Sequence, residues 1–491
     1  MVISISDSSN INNEKVVSDN KSSMVIINTA LQKSVKNVEN TDNIDFKLDE
    51  EDLEYLFYSI VTSIKFPNEA VKLTGANVDV VDEKYTLQIS GQLGTFKTVI
   101  TSNIDLNETH GNFTITLNSL KLGKVNLLGV GKKLLSFTND ATIEEALHNA
   151  NIFCDINLEN LCITFTKDNI KRMLLTSLNQ DHVGELFSVV VDVFLDNSSL
   201  LEFNLGTQNL LGFTLHLASL KSTRPVQYTY NHEDVKEKCE SLLKNKTITL
   251  EQVNVVFNYL VNGYEDLEDE NKQIIDEIDF SSVGIDNKST YSGIMYHSEK
   301  DLADYINDGT NFTLSDVLLN GKFDLLISDD NLNNILQSTL PFIGFSYAFA
   351  NDETNEIGYL VIEQFNIKCI ENKLQIDLIS TINTVKVYIE IIIDCNEEND
   401  GLSVTGSINN IRLGSNELSA SQKDDLLKYL EYAFYSVDWM KFNASENKVV
   451  LDFSKAVSEN EIIQLIVSSV LNAKYLTKIL DDYVSIQYKV I

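Results

Sequence analysis

Positive charge is the scarcest property of this sequence of 491 residues. Its 38 lysines and arginines face 72 aspartates and glutamates, which gives a formal net charge of −34. Such a chain repels the phosphates of nucleic acids, so we expect no nucleic-acid partner. Broad adsorption to anionic lipid is disfavoured for the same reason. The arginines are Arg172, Arg224 and Arg412, and their rarity beside many Lys, Asn, Ile and Asp residues is typical of an AT-rich bacterial genome.

Paired cysteines, a secretory signal and a long apolar run are also missing from the sequence. The five cysteines are odd in number and lack CxxC spacing, so we expect neither a zinc site nor a disulfide framework. We expect the cysteines to be reduced, buried thiols. The first fifteen residues show no basic region followed by an apolar core, and no run of 18 apolar residues occurs. We therefore expect a soluble protein with no signal peptide and no transmembrane segment.

The motifs of common catalytic sites are absent as well. There is no HExxH, GxSxG or GxGxxG, and the six histidines are scattered without metal-ligand spacing. The segment Leu128-Gly-Val-Gly-Lys132 does not qualify as a phosphate loop, because Asn126 replaces the first glycine and Lys133 replaces the serine or threonine. We expect no enzyme, no metal and no cofactor.

Two long segments, residues 84–123 and 373–414, share one pattern. In both, apolar and polar residues alternate along three successive stretches. Alternation with a period of two predicts strands of an antiparallel sheet with one face buried and one face in water. Each segment therefore reads as a β-meander, and the chain contains two copies of it.

The two copies also share their irregularities. A polar loop that ends in glycine stands at the same point of each, at residues 105–111 and 394–401. Alternation slips by one residue in Leu117-Asn-Ser-Leu120 and again in Ile408-Asn-Asn-Ile411. A slip turns a strand over unless a bulge absorbs it, so a β-bulge is predicted at both places.

A second recurring signature predicts strands that lead into capped helices. An apolar residue is followed by an N-cap former and, three residues later, by a polar side chain; the segments are 48–53, 165–170, 248–253, 312–317 and 327–332. The first and last of these segments begin the amphipathic cap-and-helix elements at 48–64 and 327–343. Pro341 should end or kink the second helix. Further helices are predicted at 142–149, 168–178, 251–262, 422–440 and 460–480, and further strands at 187–195, 200–205 and 211–220.

Together these elements predict an α+β fold with two similar units, each a long amphipathic helix packed on a strongly twisted antiparallel meander. Residues 1–40 are rich in Ser, Asn, Asp and Lys and read as a flexible leader. The acidic run 265–270 and the polar stretch 281–300 read as a surface connection. We therefore predict a first domain at 41–280 and a second at 281–491.

In the order of these paired meanders and paired cap-and-helix segments, the chain resembles the tubular lipid-binding (TULIP) architecture of the bactericidal permeability-increasing protein superfamily. More specifically, and over nearly its full length after the leader, it is similar to the OrfX proteins encoded beside botulinum and related clostridial neurotoxins. Its size and its low-proline, Asn/Lys/Ile/Asp-rich composition suit the third of them.

The resemblance implies a non-enzymatic accessory protein, released to the extracellular medium with a neurotoxin. It implies assembly with the small first OrfX protein of the same gene cluster, and it leaves contacts with other toxin-complex components and with lipid open. In the superfamily an apolar groove lies between helix and sheet. The positions that match this groove are Leu53, Leu56, Phe57, Ile60, Leu332, Ile335 and Leu336. These side chains either line a cavity or fill a core.

Three functions are therefore weighed. A protein-interaction component predicts packed cores and an exposed edge strand or apolar patch. A carrier of lipid or another apolar ligand predicts an apolar cavity. An enzyme predicts a convergent polar cluster with perturbed pKa values, and spacing alone shows none.

Overall fold

A computed structural model describes residues 23–63, 71–81, 84–93, 96–122, 125–126, 128–129, 153–178, 181–197, 199–205, 211–224, 226–309, 322–397, 399–454 and 473–490. Within them the helices are α1 Ser23–Lys36, α2 Val38–Thr41, α3 Glu50–Ser63, α4 Lys167–Leu178, α5 Asp181–Asp196, α6 His232–Lys244, α7 Val253–Asn262, α8 Asp269–Glu277, α9 Leu302–Gly309, α10 Asp329–Thr339 and α11 Ala420–Ala433.

The strands of the same ranges follow in chain order. They are β1 Asn43–Leu48, β2 Val71–Val81, β3 Lys84–Leu93, β4 Phe96–Thr109, β5 Asn112–Leu122, β6 Val125–Asn126, β7 Asp155–Asn157, β8 Cys162–Phe165, β9 Leu201–Leu205, β10 Leu211–His216, β11 Lys322–Ser328, β12 Ser346–Ala350, β13 Ile357–Ile370, β14 Lys373–Ile382, β15 Val385–Cys395, β16 Asn399–Asp400, β17 Ser403–Leu413, β18 Asn416–Glu417, β19 Met440–Asn443, β20 Lys448–Asp452, β21 Ala473–Leu480 and β22 Tyr483–Val490.

The strands pair in antiparallel fashion into two large and two small sheets, which confirms the predicted α+β class. One large sheet, the first meander sheet, has the order β2-β3-β4-β5-β8-β7, and the second meander sheet has β12-β13-β14-β15-β17-β20-β19. The first small sheet is β1-β10-β9, and the second is β11-β22-β21-β16. The order repeats: a strand of the small sheet, a helix, a four-stranded meander, a hairpin, and a returning pair of small-sheet strands. The duplication predicted from the meanders therefore extends over both small sheets.

Both predicted β-bulges are present at equivalent positions. In the first copy the pairing of β4 with β5 shifts where Asn103 faces Ser119 and Ile104 faces Leu117, so Asn118 is skipped. In the second copy Ile392 faces Asn410 and Ile393 faces Ile408, so Asn409 is skipped. Each bulge returns the later apolar residues of its strand to the buried face.

The predicted helix caps are also confirmed wherever the structure describes them. Asp49 and Ser328 accept hydrogen bonds from the backbone N–H three residues later, at 2.9 Å and 3.2 Å. Thr166 caps α4 in the same way, and Thr249 forms a capping box with Gln252. The fifth cap, at 312–317, lies outside the described residues. As predicted, α10 ends before Pro341.

Several predicted elements were wrong in type or extent. Residues 187–195 were predicted as a strand but belong to helix α5, where the buried residues Leu186, Val189 and Val193 recur at helical spacing. The helix predicted at 422–440 ends at Ala433, and strand β19 begins at Met440. The end of the helix predicted at 460–480 is strand β21, and residues 455–472, like 142–149, lie outside the described residues.

Helix α1 lies within the predicted leader and was not predicted. Its Ile26, Ala30 and Val35 are buried, and Ile26 and Ala30 pack with Leu48 and Tyr55 in one core cluster. The polar stretch 281–300, predicted as part of a surface connection, buries Ile285 and Met295. Apolar residues this sparse in a polar sequence do not produce a strong periodic signal.

The chain divides into two compact units. The first comprises Met1–Asn179, Phe194–His216 and Phe349–Glu356, and the second comprises Gln180–Val193, Leu217–Ala348 and Ile357–Ile491. Residues 217–280 thus belong to the second unit by their contacts. The domain boundary at 280/281 that we predict from the sequence stays a prediction.

In the second unit, Asn333 joins α10 to strand β13. Its Nδ2 donates to Asn366 Oδ1 at 3.0 Å and to Ile367 O at 2.9 Å, and its Oδ1 accepts the Ile367 N–H. The side-chain amide thus takes the place of a neighbouring strand for both backbone groups of Ile367. The residue is 3% exposed, so water cannot replace it.

We expect Asn333→Ala to lower the free energy of unfolding by about 1–3 kcal/mol, because it leaves buried backbone groups without partners. Urea denaturation measures the loss. Asn331→Ala is the matched control, since it changes the same residue type on the same helix and leaves the cap from Ser328 in place. Equal stability of the two variants would contradict the role of Asn333.

Candidate functional site

One face of the first small sheet is wholly apolar. Cross-strand partners in an antiparallel sheet point to the same side, and the pairing places nine apolar side chains together in three rows. The rows are Ile44–Leu215–Leu201, Phe46–Phe213–Phe203 and Leu48–Leu211–Leu205. The opposite face carries polar residues, and Thr214 there donates a hydrogen bond to Asp45 at 2.7 Å. The sheet is therefore amphipathic.

The apolar face lies opposite strands β4 and β5 of the first meander sheet. Phe113 of β5 meets Phe203 of β9 edge to face, with ring centroids 4.5 Å apart. Phe46 and Phe213 stack on each other within the small sheet at 5.1 Å. Edge-to-face and offset stacking are favourable aromatic geometries, so these rings hold the two sheets at a fixed separation.

Between the two sheets lies a cavity of about 300 Å³, here named the first-unit cavity. Its lining comes from β1, β4, β5, β9 and β10: Phe46, Leu48, Leu106, Asn107, Phe113, Thr114, Ile115, Phe203, Leu205, Leu211, Gly212 and Phe213. Among the described residues, no charged side chain belongs to this lining. Strand alternation directs the side chains of Asn107 and Thr114 to the opposite face of the meander sheet, where Thr114 Oγ1 lies 3.4 Å from Thr164 Oγ1. Concave spaces with predominantly apolar linings are typical binding sites for apolar ligands.

The corresponding region of the second unit is packed. Matching the two copies through their bulges and caps places Thr477 where the first has Phe203, and Gly406 where it has Ile115. Thr477 is fully buried, and a side chain added at Gly406 would meet Ile393 Cγ2 at 2.4 Å. Thr477 Oγ1 also donates to Gly401 O at 2.8 Å, which ties β21 to the meander loop. Small residues thus let the two sheets of the second unit meet.

Six of the seven groove positions predicted from the sequence are described, and they lie elsewhere. Leu332, Ile335 and Leu336 on α10 are buried in the second unit. On α3, Leu53, Leu56 and Phe57 are half-buried and pack against two core clusters. The side chain of Ile60 lies outside the described part of the structure. None of the six described positions belongs to the lining of the first-unit cavity, and a ligand-binding role for the seven stays a prediction.

The phenylalanines of the cavity were not among the residues predicted from the sequence. Strands at 200–205 and 211–220 were predicted, and their alternation marks Phe203 and Phe213 as apolar-face residues. Their partner, β1, lies more than 150 residues earlier in the chain. Short-range patterns do not report such a pairing, so the wall of the cavity could not be assembled from the sequence.

The second unit also buries a polar network on its meander sheet. Glu363, 2% exposed, accepts hydrogen bonds from Thr381 Oγ1 at 2.5 Å and Lys386 Nζ at 2.9 Å, and His232 Nδ1 lies 3.1 Å from it. Burial raises the pKa of Glu363, but these partners outweigh it and hold the pKa below the usual value of 4.5. The network therefore holds an ionised carboxylate inside the protein.

Arg224 neutralises a second buried acidic pair in the same sheet. Asp377 and Glu390 face each other across β14 and β15, and the Arg224 guanidinium bonds to Glu390 and lies 4.0 Å from Asp377. Burial raises the pKa of Asp377, while Gln375 and Arg224 lower it in part. Like charges directly across strands destabilise a sheet, so Arg224 fixes its chain segment to this face.

Burial suppresses the ionisation of three of the thiols. Burial raises the pKa of Cys239 and Cys369, and raises that of Cys395 to about 12. Thiols of this kind remain protonated at neutral pH. In the described ranges, no group of three or more His, Cys, Asp or Glu side chains could hold a metal ion. None of the described helices is long and apolar enough to cross a bilayer.

We expect Glu363→Gln to destabilise the protein by about 3–5 kcal/mol near neutral pH, the cost of breaking a buried ion pair. Because the folded-state pKa lies below 4.5, this contribution exists above about pH 4.5 and is lost as the pH falls through the folded-state value. Urea denaturation across that pH range measures the difference from the unmodified protein. The exposed Glu371→Gln is the control, and a cost that does not shrink in acid would contradict the assignment.

Comparison with known proteins gives only distant likenesses. No protein-family model matches the chain, and no curated protein does. P47 from Clostridium botulinum A2 is a solved structure with 10% sequence identity and a TM-score of 0.16, and the match covers 90% of this chain and 96% of that one. Lipopolysaccharide binding protein has 10% identity and a TM-score of 0.13, and the match covers 94% of each chain. Similarity at this level decides neither fold nor function.

Proposed function

We propose that this protein binds a lipid-like aliphatic ligand in the first-unit cavity and carries out no catalysis on it. The cavity itself is the observation that carries the proposal: it measures about 300 Å³ between two sheets, and the side chains of its described lining are mainly phenylalanine, leucine and isoleucine, with no charged group among them. The duplicated α+β architecture agrees with the TULIP resemblance of the sequence, in which apolar ligands are carried beside a sheet. The cavity favours the carrier hypothesis among the three considered.

The size of the cavity limits how tightly a ligand is held. An aliphatic chain gains about 0.8 kcal/mol for each buried CH₂, so about ten of them gain about 8 kcal/mol. That value corresponds to a Kd of about 1 µM before the entropic cost of association is subtracted. A micromolar or weaker ligand exchanges readily, which suits transfer or sensing better than permanent storage.

We expect Leu205→Trp to fill part of the cavity and weaken binding of the neutral apolar probe N-phenyl-1-naphthylamine about tenfold, as excluding about two CH₂ groups costs about 1.6 kcal/mol. Fluorescence titration measures the Kd. Leu326→Trp is the matched control, since Leu326 lies on the second small sheet and is 44% exposed. Urea denaturation of both variants establishes that they fold. Unchanged binding in a folded Leu205→Trp protein would contradict the cavity as the binding site.

As a second function, we propose that the protein is an accessory component of a bacterial neurotoxin gene cluster and assembles with the small first OrfX protein, as the sequence resemblance implies. An exposed aromatic pair at the end of α11 favours a protein contact. Tyr432 is 54% exposed and Tyr435 is 86% exposed. Tyrosine is enriched in protein interfaces, where it contributes large apolar area and a polar hydroxyl.

Co-expression with the co-encoded small protein, followed by size-exclusion chromatography, tests this assembly. We expect the two chains to elute together, and the double substitution Tyr432→Ser, Tyr435→Ser to reduce the complex because it removes the apolar contact area. Lys428→Ser, on the exposed side of the same helix, is the control. Separate elution of the unmodified chains would contradict the partner, and full retention by the double variant would contradict the tyrosine contact.

A further inference from the structure

Helix α3 and the lining of the first-unit cavity share their supporting core. Leu106 and Leu211 belong to the lining, and they pack against the same core cluster as Leu53 and Phe57 of α3. The members of that cluster are Val78, Val80 and Tyr85. A ligand that contacts Leu106 and Leu211 therefore also acts on the core that holds the helix.

A second cluster joins the same helix to the other side of the lining. It contains Leu48 of the lining and Tyr55 of α3, and Phe46 of the lining packs against it together with Leu56 of α3. Four lining residues thus belong to the two groups of side chains on which α3 rests. The helix and a bound ligand depend on the same side chains.

Helix α3 is packed less closely than its counterpart in the second unit, α10. Three apolar residues of α10 are at most 5% exposed: Leu332, Ile335 and Leu336. Their equivalents on α3 are half-buried: Leu53, Leu56 and Phe57. Elements with fewer buried apolar contacts open locally at a lower free-energy cost. The docking of α3 is therefore easier to change than that of α10.

One polar anchor is common to both helices. The carboxylate of Glu50 on α3 accepts a hydrogen bond from the Val80 N–H, and that of Asp329 on α10 accepts one from the Cys369 N–H at 3.3 Å. Val80 and Cys369 each precede the last residue of their strand, β2 and β13. The two bonds are thus equivalent, and each fixes the start of its helix beside an edge of the meander.

The next anchor along the helix differs between the copies. On α10, Asn333 donates to the C=O of Ile367 and accepts from its N–H. The equivalent residue of α3 is Glu54, and the equivalent strand residue is Val78. An ionised carboxylate accepts hydrogen bonds but donates none, so Glu54 in that form cannot serve the C=O of Val78 as Asn333 serves Ile367. This favours tighter fixation of α10 than of α3.

We propose that occupancy of the first-unit cavity controls the docking of α3. A bound apolar ligand supports the shared side chains and holds the helix on the meander, and in the empty protein the helix opens more often. Because linked equilibria are reciprocal, opening of α3 in turn weakens ligand binding. This rests on the proposed apolar-ligand function and adds the conformational response of that site.

Hydrogen exchange of the unmodified chain, without and with N-phenyl-1-naphthylamine, tests the coupling. At a probe concentration of about ten times the Kd, we expect the amides of α3 to exchange about tenfold more slowly, because binding that requires the docked helix stabilises it in that proportion. The amides of α10, which rests on a different core, should change by less than about twofold.

Equal slowing of α3 and α10 would indicate stabilisation of the whole chain and would overturn the proposal. Unchanged exchange of α3 in a protein that fluorescence titration shows to be saturated with probe would overturn it as well. Failure of the probe to bind at all would refute the apolar-ligand function and the coupling together.

Glu50→Ala removes the common anchor from α3 and gives a second test. We expect α3 to exchange about fivefold faster, the equivalent of about 1 kcal/mol for one hydrogen bond, and the probe to slow it again. Asp329→Ala is the matched control, since it removes the equivalent anchor of α10 and should leave α3 unchanged. Urea denaturation establishes that both variants fold. Faster exchange of α3 in Asp329→Ala, or none in Glu50→Ala, would contradict the assignment.

Discussion

The single skipped residue in each meander is the constraint on which the rest of this fold depends. If Asn118 were paired in register with β4, the residues that follow it in β5 would face the wrong side of the sheet. The same holds for Asn409 in β17. With the skip, Leu117 and Leu120 both face the core although their spacing is odd. Each meander then presents one continuous apolar face, against which a small sheet and a helix can pack.

The two copies use that face differently, and the difference lies in the size of a few side chains. In the first unit, the contact of Phe113 with Phe203 keeps the small sheet away from the meander, and a cavity remains. In the second unit, Thr477 and Gly406 stand at equivalent points; Thr477 is fully buried, and a Cβ added at Gly406 would overlap Ile393. Topology therefore does not determine whether a unit of this fold is hollow. The size of the residues at the contact between the sheets determines it, as the bulky aromatic residues of the first unit show.

Local patterns predicted the local features of the fold. The alternation of the meanders, the slips at Asn118 and Asn409, and the caps at Asp49, Ser328, Thr166 and Thr249 are each encoded within a few residues. Helix α5 was mistaken for a strand because Val189, Val190 and Val191 are β-branched, and burial at helical spacing overrode that propensity.

Predicting the first-unit cavity would have required information that no local pattern contains. Its walls bring β1 together with β9 and β10, which are far apart in the sequence, and with the middle of the meander. The stripes on α3 and α10 were visible in the sequence, but a stripe is the same whether the helix faces a cavity or a core. Only the packed structure shows that Leu332 and Leu336 are buried in the second unit. The choice of ligand site thus depended on tertiary contacts between small and large residues.

The unequal packing of the two copies has a consequence for how this protein can evolve. A change of side-chain size in a filled core creates either a void or an overlap, and both are costly. Beside an existing cavity, the same change alters mainly the shape of the space. The lining of the first unit can therefore change among apolar residues with the shape of this space as the main consequence, while the packed second copy tolerates fewer such changes.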